Sequence, residues 1–573
     1  MSLYTFVNKR DWTKLNIILK VFIQATLITI RQHSITMITR HTTIAMLLML
    51  TVNILTVSAQ SNNEIFTPSK YDNELRTIKL PLIEIVTSNG QDPTGTNIPA
   101  PDGLWGIGLT ENEYVVGHMR MTLCDSMLYD SGTDGMKIRL RGNSSSYYRL
   151  KKPYKIKLNK KQDLLFRNDS KYADKEWVLL RLHEGISIRF LTGYLTGTLL
   201  DLGWQPKWEF VNVVINGDYK GDYILIESIK KSEGRLNIEN SGFIIEDDAY
   251  WWNEDVYFKG DMLVEQTGYT FKYPDSDDVN NYIINNIRNF ILAFEDALTK
   301  GNDISPYIDY NTFAAWLLAQ DILGQGDSAG SNRYLIKNNF YQDDPTSSQM
   351  YMGPLWDFDA IFRTPENWCA LHDRSYSFYF PQLLDRQDFY FSYVSQWEEV
   401  RETLRNDITN ELRRIYEEKG EALDASRLLD HKRWNTPYIS LLTEIDETNE
   451  WLKAQVKFID KELLTKYQLQ FIIDDEVVLT DSLIYREEIT YPTVPDKNGY
   501  IFSGWDIAQS TMPAKDLTIR GSYVTISGLF EITDKNGTRT NPIIVDMFGR
   551  HYNEFEKLNR GIYIVNGKKI FVK

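Results

Sequence analysis

Two carboxylates one residue apart, set among large apolar side chains, mark Leu355-Trp356-Asp357-Phe358-Asp359-Ala360. In an extended chain alternate side chains share a face, so Asp357 and Asp359 would point the same way, roughly 7 Å apart. Acids in apolar company repel each other and resist losing water unless a cation joins them. Mg²⁺ suits such a pair, because it takes one or two carboxylates and completes its octahedron with waters and substrate phosphates. A strand whose acids simply face solvent has the same pattern. Earlier in the chain, Gly324-Gln325-Gly326-Asp327-Ser328-Ala329-Gly330 surrounds one aspartate with three glycines, after an apolar helical run over 312–323. Such a loop has unusual backbone angles. A rigid helix can carry its acid to a substrate, although a plain loop or cap aspartate fits the same residues.

The elements that would position these acids follow a recognisable order. After the Asp327 loop come Arg333-Tyr334-Leu335-Ile336-Lys337 and Tyr351-Met352-Gly353-Pro354-Leu355-Trp356-Asp357. Before it come the turn Arg141-Gly142-Asn143-Ser144-Ser145, the hairpin over 211–227, Ser241-Gly242-Phe243-Ile244-Ile245-Glu246 and Phe271-Lys272-Tyr273-Pro274-Asp275. Together these resemble the CotH kinase family, the spore-coat-protein-H-like proteins, over about 78–415. The resemblance implies a diverged protein-kinase-like bilobal domain of α+β class that uses ATP and Mg²⁺. Asp327 would then be catalytic, orienting or deprotonating an acceptor hydroxyl, and Asp357 would hold Mg²⁺ with help from Asp359. A standard glycine-rich loop and a His-Arg-Asp motif are both missing from the sequence.

Cations for the phosphates come from two strands. In Met136-Lys137-Ile138-Arg139-Leu140-Arg141 the arginines share a face, and Arg141 could grip a phosphate with two N–H groups or hold the turn by an ion pair. In Tyr154-Lys155-Ile156-Lys157-Leu158, alternation sets Lys155 and Lys157 opposite the apolar face. A strand lysine aimed at phosphates neutralises nucleotide charge; lysines guarding an edge strand are the alternative. The pattern leaves both lysines open, with Lys155 taken before Lys157. Glu227 ends the hairpin's second strand and could pair with that lysine, as in the kinase Lys–Glu pair, or be an exposed acid.

Coarser features bound the rest. The chain has 573 residues, a formal net charge of −15 and 42% hydrophobic residues, enough for a large core and more than one domain. The acidic balance excludes general nucleic-acid binding. The two cysteines, Cys124 and Cys369, could pair outside the cytoplasm, and neither they nor the seven histidines form a zinc pattern. Helical periodicity covers 188–200, 279–298, 398–419 and 438–467.

Both ends carry addressing signals. Met37-Ile38-Thr39-Arg40-His41, an apolar run and Val57-Ser58-Ala59-Gln60 form a signal-peptide pattern, too short for a stable transmembrane segment. Residues 1–59 are therefore read as an over-extended N-terminus plus signal peptide, with Met37 as the true start. The kinase-like domain is expected over 75–465. The stretch 466–525, with Tyr491-Pro492-Thr493-Val494-Pro495 and Asn498-Gly499-Tyr500, is a small all-β module resembling the internalin-type repeat. The stretch 526–573, with Val545-Asp546-Met547-Phe548-Gly549-Arg550 and Gly561-Ile562-Tyr563-Ile564-Val565, is a second one resembling the C-terminal sorting domain of type IX secretion. These resemblances imply a secreted or surface-displayed kinase acting on protein Ser/Thr hydroxyls, with the outer-membrane secretion machinery as a partner. The rival expectation is a non-catalytic adhesion or scaffold protein on a kinase-like fold.

Overall fold

A computed structural model describes residues 66–182, 186–263, 267–325, 332–362, 378–525, 544–546, 549–552, 558–565 and 568–572. Asp327, Cys369, the signal-peptide pattern and much of the last module lie outside the described residues.

The first half is built from strands β1 (Leu82–Thr87), β2 (Thr96–Pro99), β3 (Ile107–Thr110), β4 (Val115–Leu123), β5 (Ser126–Asp130), β6 (Met136–Leu140), β7 (Tyr154–Gln162), β8 (Asp174–Arg181), β9 (Trp208–Ile215) and β10 (Asp218–Glu227). Short helices α1 (Asp72–Thr77) and α2 (Ser144–Tyr148) and the longer α3 (Ile186–Leu199) sit among them. Seven strands run in the order β1-β9-β10-β8-β7-β6-β4, and β4 pairs back to β1, so the sheet closes into a barrel. Closure removes the exposed edges that an open sheet would have to guard. Alternate residues such as Ile83, Ile85, Ile138, Ile156, Trp177, Val213, Tyr223 and Leu225 fill the barrel. Their neighbours Leu82, Val178, Leu180, Ile224 and Ile226 face a second core shared with the helices. The hairpin β9–β10 turns through Asn216 and Gly217, both at positive φ, as a two-residue turn between right-twisted strands requires.

The second half carries β11 (Phe243–Asp248), β12 (Tyr257–Phe258), β13 (Gly268–Tyr273), β14 (Arg333–Lys337) and β15 (Met350–Met352), ordered β12-β13-β11-β14-β15. Helices α4 (Asn281–Thr299), α5 (Tyr310–Leu323), α6 (Phe380–Asp385), α7 (Gln387–Val400), α8 (Leu404–Trp434) and α9 (Leu441–Leu464) complete it. The Asn280 and Asp309 side chains cap α4 and α5 by accepting from first-turn N–H groups. Helix α5 is buried from Phe313 to Leu323 and stops at Gly324 in the left-handed conformation. The class is mixed α+β. The 398–419 periodicity belongs to two helices, because the chain breaks at 401–403 between α7 and α8.

Strands β16 (Lys466–Ile473), β17 (Glu476–Ile484), β18 (Tyr500–Trp505) and β19 (Leu517–Thr525) make a separate four-stranded sheet. Its core is Leu469, Phe471, Leu483, Ile489, Met512 and Ile519, with the Trp505 ring packed against it. It is anchored to the helices. The Arg486 guanidinium donates to the Leu384 carbonyl and lies 5.1 Å from the Tyr390 ring centre. The last strands, β20 (Ile544–Asp546), β21 (His551–Tyr552), β22 (Gly561–Val565) and β23 (Lys568–Val572), form a further small sheet. In it Arg550 Nε pairs with Asp546 Oδ2 at 2.6 Å. Among the described residues no helix is long and apolar enough to cross a membrane.

Candidate active site

A cleft of about 560 Å³ lies between the barrel and the five-stranded sheet. Arg141, Lys155 and Arg181 come to it from the barrel side, Glu246, Asp248 and Lys272 from β11 and β13, and Asp357 and Asp359 from the segment after β15. Residues as far apart in sequence as Arg141 and Asp359 thus share one cleft.

The segment carrying the two acids is not a strand. Residues 353–358 have no regular structure, and Asp357 takes a left-handed φ of 63°. The extended geometry expected from Leu355 to Ala360 is therefore wrong. The segment is pinned from three sides instead. Phe358 packs edge-on against Tyr194 and Phe190, with ring centres 4.9 and 6.0 Å away. Gln205 Oε1 accepts the Leu355 N–H at 3.1 Å, and Gln325 Nε2 donates to the Asp357 carbonyl at 2.8 Å. Both acids still reach the cleft, because burying Phe358 between them turns its neighbours outward.

Lys155 and Lys157 lie on the outer face of β7 and share one acid, Glu176 of β8, at 2.9 and 3.4 Å. Lys155 lines the cleft; Lys157 is not among the described residues that do. Burial lowers the Lys155 ammonium, and Glu176 only partly offsets it. Burial alone would raise the Glu176 carboxyl, but Lys155, Lys230 and Lys157 outweigh this and hold it at about 2. The two partners shift unequally because one carboxylate answers three ammonium groups.

The expected pairing of Glu227 with the strand lysine is not made. Glu227 is fully buried and accepts from Arg167 at 2.7 Å and from the Lys207 N–H at 3.0 Å. Its strand ends on the far side of β8 from β7, so it ties down the 163–172 loop rather than the cleft. Arg141 sits at the cleft with its guanidinium 5.7 Å from the Trp356 ring centre, while Arg139 stacks at 4.7 Å over Tyr114.

Sequence reasoning missed Glu176, Arg181, Asp248 and Lys272. On β11, Glu246 and Asp248 take the cleft face, and Asp247 takes the other, where it pairs with buried Arg333. Glu246 Oε2 lies 2.7 Å from Lys272 Nζ. Burial, with repulsion from Glu246, pushes the Asp248 carboxyl up to about 7. Burial works against the Lys272 charge, but Glu246, Asp248 and Glu254 outweigh it and raise the ammonium. The alternation in Ile245-Glu246-Asp247-Asp248 was the available signal for the two cleft-facing acids.

The residues fit Mg²⁺ with a phosphate ligand. Among the described residues no group of three or more His, Cys, Asp or Glu stands ready to hold a metal alone. Asp357 and Asp359 supply two carboxylates, the usual protein share for Mg²⁺ when phosphates and water complete the shell. The buried Arg181 Nε has no hydrogen-bond partner, which marks the same spot as suited to an anion.

No curated protein matches the chain. The model of the CotH kinase protein family matches residues 138–461, which include every cleft residue named above. This chain belongs to the CotH kinase family.

Proposed function

We propose that the chain is a CotH-like protein kinase that moves the γ-phosphoryl of ATP to a Ser or Thr hydroxyl of a protein. The observation that supports this most is the meeting of Asp357 and Asp359 with Arg141, Lys155 and Arg181, from distant segments, in one cleft. The barrel and the five-stranded sheet with its helices are read as the two lobes of a diverged kinase-like fold. Asp357 and Asp359 would hold Mg²⁺, which when bound spreads the charge of the reacting phosphates. Lys155, steadied by Glu176, and Arg141 would neutralise phosphate oxygens. The acceptor oxygen forms a bond to the γ-phosphorus as the bond from that phosphorus to the β–γ bridging oxygen breaks. ADP leaves with the electron pair, and the hydroxyl proton passes to Asp327 as the proposed base. The export reading rests on the Met37 to Gln60 pattern and the C-terminal motif, and would put the reaction outside the cell.

Incubation of the full chain with labelled ATP and Mg²⁺, scored by mass spectrometry for self-phosphorylation, tests the reading. Transfer that disappears in Asp357→Asn supports it. No transfer, and no rise in melting temperature with millimolar ATP and Mg²⁺ or Mn²⁺, would leave the adhesion or scaffold role, for which the two C-terminal β modules speak.

A further inference from the structure

Arg181 is the last residue of β8 and has the inward parity of Trp177 and Leu179, so it stands where that strand leaves the barrel and meets the cleft. Its side chain is only 9% exposed. Among the described residues the acid paired with it is Asp359, at 3.9 Å, beyond hydrogen-bond reach, and its Nε is buried with no partner. A buried guanidinium normally has its donors satisfied, and leaving one unmade costs far more than a surface charge would.

A cation in this state calls for an anion with several acceptor oxygens. Among the described residues no carboxylate closes on it as that partner, since Asp359 stays at 3.9 Å, beyond hydrogen-bond reach. Phosphate oxygens match the planar fork of arginine, and a phosphate chain that also carries Mg²⁺ would satisfy Arg181, Asp357 and Asp359 together. Lys155 is unlike Arg181, for its charge already has a partner in Glu176 at 2.9 Å.

We infer that Arg181 is the principal phosphate-gripping residue of the cleft, taking the polyphosphate chain on a guanidinium whose Nε has no partner, beside Asp357 and Asp359. This rests on the nucleotide reading above for the identity of the polyphosphate. In the absence of such an anion Asp359 would act as its loose counter-charge, and on binding Asp359 would be released toward the metal.

The test is calorimetry on the full chain with ATP and with inorganic tripolyphosphate, each with and without Mg²⁺. Arg181→Gln should weaken tripolyphosphate binding about tenfold or more in both conditions, the scale of losing a charge-assisted hydrogen-bond pair. Arg181→Lys should recover only part of it, because an ammonium lacks the fork. Asp359→Asn should act oppositely in the two conditions: tighter without Mg²⁺, by loss of a repelling charge, and weaker with it. If Arg181 merely held Asp359 in place, Arg181→Gln and Asp359→Asn would shift Mg²⁺-free binding in the same direction, and that overturns the inference. So does unchanged tripolyphosphate affinity in an Arg181→Gln protein that still melts cooperatively. Should Arg181→Gln not fold, full tripolyphosphate affinity in Arg181→Lys would overturn the inference as well. Tripolyphosphate binding that Arg181→Gln weakens, in a chain whose wild type does not bind ATP, would uphold Arg181 and sink the nucleotide reading. ATP binding that ignores Arg181→Gln would do the reverse, and a wild-type chain that binds neither anion sinks both.

Discussion

The Phe358 ring lies directly over Gly193 of α3, so close that a methyl group on Gly193 would come within 2.3 Å of the ring. The missing side chain is what lets the segment bearing Asp357 and Asp359 settle against the helix. Tyr194 and Phe190 flank the same ring.

Gly193→Ala should therefore push Phe358 outward and carry both acids with it. Overpacking of this kind costs on the order of 1–3 kcal/mol. A lowered melting temperature together with loss of the ATP–Mg²⁺ stabilisation is the expected pair of results. A protein that melts lower yet keeps its full nucleotide response would show that Phe358 does not set the position of the acids.

Asp357→Asn and Asp327→Asn should fail in different ways. An amide oxygen is a poorer ligand for a hard dication, so Asp357→Asn should weaken Mg²⁺-dependent ATP binding and turnover alike. Asp327→Asn should bind ATP–Mg²⁺ normally and transfer roughly 10²-fold more slowly, the usual scale for a positioned base. Titration calorimetry beside single-turnover assays separates the two; the opposite pattern would exchange the roles.

Glu176 should make stability depend on pH at the acid end. Its folded carboxyl is held at about 2, below the ordinary glutamate value of 4.5. The unfolded chain then binds its proton first as pH falls. The contribution is whole above about 4.5 and is lost on the way down to about 2. Glu176→Gln should remove that slope, and it should also release Lys155. Denaturant melts between pH 2 and 6 would read the difference, and parallel curves for the two proteins would show that the three lysines give Glu176 no net stabilisation.

Removal of residues 468–573 should leave the ATP response intact, since every cleft residue precedes residue 360. It should nevertheless lower the melting temperature, because Arg486 and Tyr485 pack on Tyr390, and Arg486 also donates to Leu384. Arg486→Ala in the full chain should reproduce part of that drop. An unaltered melt after truncation would mean that the β module rests on the helices without stabilising them.

Local pattern carried much of what could be read without coordinates. Period-two alternation located β6 and β7, and two β-rich runs about the Asn216-Gly217 turn located the hairpin of β9 and β10, because side-chain direction and turn sterics act over a few residues. The ordered motifs identified the family, and Asp357, Asp359, Arg141 and Lys155 all line the cleft. Tertiary structure alone decided the rest. Closure of β4 onto β1 depends on pairing between distant strands that alternation does not encode. The partner of Lys155 is Glu176 rather than Glu227 because sheet order sets β8, not the end of β10, beside β7. Asp357 bends into a left-handed turn because Phe358 is buried against α3, a force from packing that overrides the strand-like pattern of its own hexapeptide. Arg181 looks like an ordinary strand-end arginine until the fold buries it at the cleft with a donor unmet.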